Sequence, residues 1–202
     1  EINLCKQALF SHKRYALPMG KIQANRPVMD LLRENNMPLT LHCDLGNNRS
    51  KTKYLGLLTE FIRVFKDNKI IWCHVGGICK ELTNLYYTKH IEIIEQLLNK
   101  YQNLYIDISW DAVLHIIYRR HKSSERSIRL TAYATLFNKY PQRFLMGSDF
   151  VGSESKKYSD YKRDIHMPLL IPKLSDEAYR LIFLGLNYIQ LYQLNYQVPQ
   201  LK

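Results

Sequence analysis

The chain has 202 residues, 46% of them hydrophobic, and 29 Lys+Arg against 18 Asp+Glu give it a formal net charge of +11. That is enough length and apolar content for one packed domain, so disorder is not the expected state. No apolar run approaches the roughly 18 residues needed to cross a bilayer, and no basic-then-apolar leader opens the sequence. Cys5, Cys43, Cys73 and Cys79 include no C-x-x-C pair, the pattern of reduced, mostly buried thiols, and a cytoplasmic location is expected from it. The basic residues are spread along the chain, with only Arg119, Arg120 and Lys122 forming a tight group. The charge therefore reads as a solvated basic surface, and neither nucleic acid nor a membrane is an expected partner.

In chain order, residues 27–36 read as a short helix and residues 38–44 (PLTLHCD) as a strand. Residues 50–66 have helical periodicity, with Tyr54, Leu57, Leu58, Phe61 and Phe65 on one side. A second strand, 68–75 (NKIIWCHV), precedes a helix over 81–100 whose apolar positions include Leu82, Leu85, Ile93, Ile94, Leu97 and Leu98. A third strand, 104–109 (LYIDIS), leads to a helix over 125–139, which Pro141 stops because proline cannot continue it. After a fourth strand, 143–149 (RFLMGSD), residues 175–194 form one closing helix, N-capped by Ser175 and followed by Asp176 and Glu177. Regular alternation of strand and helix predicts an α/β protein with a parallel sheet, either a barrel or a doubly wound sheet. No repeat or linker divides residues 1–202, so a single domain is expected.

Three of these strands end in a side chain suited to a metal: His42, His74 and Asp149. Active sites of barrels gather at the C-terminal strand ends. An imidazole and a carboxylate suit Zn²⁺, with Mn²⁺ as the second choice, and such an ion lowers the pKa of its water toward about 7. Strand alternation opposes His42 to Cys43, and His74 to Cys73, so both cysteines are expected to point away from the ligands as small buried residues. Gly76 and Gly77 would let the chain bend beside His74, and Gly147 would leave room next to Asp149. Asp107 and Ser109, on one face of the third strand with Tyr105, are candidate substrate contacts, as is Arg49 through a bidentate bond to a carboxylate. His12, His90, His115, His121 and His166 have no partner at ligand spacing and read as surface or packing residues.

The segments LTLHCD, IIWCHVGG, LYIDISW and FNKYPQRFLMGSDF resemble, in that order, the fifth to eighth strands of the amidohydrolase superfamily. The likeness is nearest to the branch with the aminocarboxymuconate-semialdehyde and resorcylate decarboxylases, and YPQRFLMGSDF is its most specific piece. LSDEAYRLIFLGLNYIQLY is similar to that branch's closing helix, with Asn187 and Tyr192 at its Asn and aromatic positions, so the likeness covers roughly residues 27–194.

The resemblance implies the C-terminal portion, about strands 4–8, of a (β/α)8 TIM barrel. It implies a metal-dependent hydrolase, or a decarboxylase of the same fold, acting on a small organic molecule. His42 and His74 match histidines that bind the metal or face the substrate. Asp149 matches the aspartate that binds the metal and takes the proton of the attacking water. The family's first-strand H-x-H pair occurs nowhere in this sequence. On this reading residues 1–10 are the remnant of strand four, and a preceding segment or partner chain completes the barrel. A homo-oligomer is also compatible, and these residues alone are expected to be inactive. The alternative is a barrel that has lost catalysis and serves as an interaction module, which the missing pair and the basic surface favour.

Overall fold

The computed structural model describes residues 2–5, 19–46, 50–76, 87–109, 123–148, 157–165 and 167–196. The chain divides into two compact units, Glu1–Asp107 and Ile108–Lys202.

The first unit is built on parallel strands β1 (Ile2–Cys5), β2 (Leu39–Cys43), β3 (Ile70–Trp72) and β4 (Leu104–Ile108), paired in sequence order. Parallel neighbours need a long crossover, and helices supply it: α1 (Arg26–Glu34), α2 (Leu55–Val64) and α3 (Tyr87–Lys100). A parallel strand covered on both faces reads as a near-continuous apolar run; accordingly Leu39, Leu41, Ile70, Ile71, Trp72 and Leu104 are all buried. Leu58, Phe61 and Ile62 of α2 and Ile94 and Leu98 of α3 are at most 1% exposed, which is the apolar stripe that the helical spacing requires. The N-terminal ends of β3 and β4 are tied by amides. Asn68 Nδ2 donates to Met29 O at 2.6 Å, and Asn103 Nδ2 donates to Phe65 O and Asn68 O at 3.2 and 3.0 Å.

The expected strand over 68–75 is cut short. It stops at Trp72, and Cys73–Val75 form a 3-10 turn. His74 (φ 61°), Val75 (φ 49°) and Gly76 (φ 85°) all take left-handed backbone, a conformation costly for a β-branched residue. At Gly76 a Cβ would come within 2.6 Å of the Trp72 ring, so both the backbone angle and the space call for glycine there.

The second unit contains α4 (Ser123–Lys139), a 3-10 turn at Pro141–Arg143, β5 (Phe144–Met146) and α5 (Tyr158–Ile165). Phe137 meets Phe144 edge to face at 4.7 Å, with Tyr133, Leu136 and Leu145 buried. The closing segment is not the single helix expected over 175–194. Ser175 caps Asp176–Ala178, its Oγ accepting from Ala178 N at 3.1 Å. A π-turn, Tyr179–Phe183, follows, and left-handed Gly185 (φ 79°) restarts the chain as α6 (Leu186–Tyr192). The break serves an anchor. Asn187 at the start of α6 donates through Nδ2 to Pro141 O and Phe144 O, both at 2.7 Å.

The expected α/β architecture is therefore present: a four-stranded parallel sheet with intervening helices, compatible with part of a (β/α)8 barrel. Among the described residues no helix is long and apolar enough to cross a membrane.

Candidate metal centre

The site forms at the C-terminal ends of β2, β3 and β4, within the first unit. Thr40 aligns with Ile71, and Ile71 with Tyr105. Two residues further along, His42 of β2 and Asp107 of β4 share that face, and the thiol of Cys73, just past the end of β3, comes to His42. Leu41, Trp72 and Ile106 align on the opposite face, where Trp72 Nε1 donates to Cys43 O at 2.6 Å.

Strict alternation would send His74 to the Trp72 side. The left-handed turn instead swings it back over the strand ends, and its ring packs edge-on against His42 with centroids 4.6 Å apart. Asp107 holds that turn, because His74 N donates to Asp107 Oδ1 at 2.9 Å. The same oxygen lies 3.9 Å from His74 Nδ1, too long for a hydrogen bond. A carboxylate beside a ligand histidine is the usual means of fixing the ring's orientation.

His42, Cys73 and His74 each offer one ligand atom, and these atoms lie within 4.8 Å of one another. Donors around a tetrahedral zinc are separated by about 3.3–3.6 Å, given its Zn–N and Zn–S lengths. The three side chains thus need to close by only about an ångström to share an ion. Two imidazoles and a thiol are also the donor types that a borderline-soft divalent ion prefers. The residues fit a metal on both distance and chemistry.

Behind the turn, α3 contributes His90, which is 1% exposed. Burial pushes its pKa down to about 4, against a hydrogen bond with the Val75 backbone that acts the other way. This imidazole stays neutral and packs against the segment that carries His74.

Of the residues singled out in the sequence, His42 and His74 come together and Asp107 stands beside them as the support of His74. Cys73 corrects the sequence reading. It was expected to point away from the ligands, but β3 ends before it, and its thiol sits with the two imidazoles. The available signal was strand alternation: Ile71 aligns with Thr40, two residues before His42, and Cys73 lies two beyond Ile71, just past the end of β3. Cys43 is buried outside the cluster, its Sγ 3.5 Å from Asp44 O. Ser109 belongs to the second unit, 5% exposed, and the ideal Cβ position of Gly147 lies 3.0 Å from its Cβ. The missing side chain at Gly147 is thus taken up by Ser109. Asp149 and Arg49 lie outside the described residues, as does Gly77.

No curated protein matches this chain. The sequence model of one family, described as Amidohydrolase, matches residues 7–187.

Proposed function

The chain belongs to the amidohydrolase family, and from that premise we propose that it forms part of a metal-dependent hydrolase, or a decarboxylase of the same fold, acting on a small organic substrate. The observation that carries this reading is the meeting of His42, Cys73 and His74, ligand atoms within 4.8 Å of one another, at the C-terminal ends of parallel strands. Active sites of such sheets lie at that end.

When bound, a divalent ion supplies Lewis-acid polarisation of the substrate and makes water acidic enough to act as a nucleophile near neutral pH. The residues around it have separate tasks. His42 and His74 hold the ion as neutral imidazoles. Asp107 fixes the His74 turn through the backbone N–H, so the ring does not need to reorganise during reaction. Asp149, after β5 in the sequence, is a metal ligand and the proton acceptor in this reading, by its match to the family's aspartate. Arg49 and Ser109 are the proposed substrate contacts, Arg49 through a carboxylate group. A segment carrying an H-x-H pair would complete both the ligand set and the barrel.

The test is Asp149→Ala in the full-length protein, assayed for hydrolysis and decarboxylation of small carboxylic substrates with Zn²⁺ or Mn²⁺ supplied. Loss of a general base lowers kcat by about 10²–10⁴-fold, and near-normal turnover would remove Asp149 from the mechanism. Binding of metal with no turnover by the unaltered protein on any such substrate would favour the interaction-module alternative.

A further inference from the structure

We propose that Cys73 is itself a metal ligand, so that His42, Cys73 and His74 form a two-imidazole, one-thiolate set selective for a thiophilic ion such as Zn²⁺. The inference rests on the preceding reading that this chain binds a divalent metal, and it changes the chemistry of that site.

Three observations converge. The parallel register aligns Thr40 with Ile71, and Cys73, two residues beyond Ile71 and just past the end of β3, brings its thiol to His42. The turn at His74 then brings the second imidazole to the same point, with backbone held at φ 61° and 49° in two successive non-glycine residues. Each such conformation is costly for a residue with a side chain and persists only where the surroundings enforce it. Finally, the three ligand atoms lie within 4.8 Å of one another while Cys73 is 2% and His74 6% exposed. A thiol in that place is screened from bulk water and faces two nitrogen donors.

On binding, the Cys73 S–H bond breaks, the proton leaves to solvent and a sulfur–metal bond forms, with no change of oxidation state. A thiolate in the set has consequences that two histidines and a carboxylate do not. Soft sulfur favours Zn²⁺, Co²⁺ and Cu⁺ and disfavours Mn²⁺ and Mg²⁺. It also adds a negative charge to the ligand set, which makes the ion a weaker Lewis acid than one held by neutral imidazoles alone. Oxidation or alkylation of Cys73 would release the metal, and bound metal would protect the thiol.

The experiment is titration of the metal-stripped full chain with Co²⁺, followed by absorption spectroscopy. A near-ultraviolet sulfur-to-cobalt charge-transfer band is expected, together with visible bands of tetrahedral intensity, and Zn²⁺ should displace both where Mn²⁺ does not. In Cys73→Ser the charge-transfer band should vanish and Zn²⁺ affinity should fall by at least about tenfold, the loss expected for disturbing even the supporting shell of a metal site. Since the band is read in the unaltered protein, the result does not depend on whether the variant folds. Co²⁺ binding without the band overturns the role of Cys73 and leaves the metal-dependent reading standing. Failure to bind either Co²⁺ or Zn²⁺ overturns both.

Discussion

His90 shows how one buried imidazole links the site to pH. Its side chain is 1% exposed, and burial lowers its pKa to about 4 against 6.5 for an unperturbed histidine. Between those values the unfolded chain takes up a proton that the folded chain refuses, so stability falls as pH falls through that window. For a shift of this size the loss between pH 7 and pH 5 is about 2 kcal/mol. Urea unfolding across that range should show the decline, and His90→Gln should show a flatter profile, although its stability at pH 7 will also be lower because Val75 loses its partner. An identical slope in the two proteins would mean that other groups carry the pH dependence. The same residue hydrogen-bonds the Val75 backbone in the turn that presents His74, so its protonation would disturb that turn.

At the scale of elements, Asn187 plays for β5 the part that Asp107 plays for β3. It is 3% exposed and donates to the carbonyls of Pro141 and Phe144. Asn187→Ala removes the donor to one buried and one half-buried carbonyl, which should cost about 1–3 kcal/mol in chemical denaturation. Asn187→Asp should be worse near neutral pH, since it turns a donor into a carboxylate facing two carbonyl oxygens. A variant as stable as the parent would show that the anchor is dispensable.

Most of these elements were legible in the sequence, because buried parallel strands and amphipathic helices each leave a repeating apolar signature. Strands β2 and β4 fall within one residue or so of the expected runs. The failures share a cause: positions where the backbone leaves the regular ladder. Apolarity continues through Cys73 and Val75 after β3 has ended, and periodicity continues across Leu184 and Gly185 after the closing helix has broken. Hydrophobic pattern reports burial, not φ, so it gave no sign of the left-handed turn that returns His74 to the side where the Cys73 thiol meets His42.

At the scale of the molecule, the metal should act on one unit first. His42, Cys73, His74 and Asp107 all fall within Glu1–Asp107, so a bound ion adds its binding free energy to the stability of that unit. At a free Zn²⁺ concentration near 100 times Kd the gain is about 2.7 kcal/mol, less whatever affinity the unfolded histidines and cysteines retain. A chain of this length that unfolds as one cooperative body then rises in Tm by roughly 5–10 °C. Differential scanning calorimetry with Zn²⁺, with Mn²⁺ and with chelator makes the comparison. Zn²⁺ should give the largest shift, chelator should reverse it, and His42→Ala should abolish it. A trace with two transitions, of which Zn²⁺ moves one, would show residues 1–107 unfolding on their own, a departure from two-state behaviour. Equal shifts in His42→Ala and the parent would place the bound zinc elsewhere, among the thiols and histidines outside the strand ends, and the case for a catalytic centre on β2–β4 would fall with it.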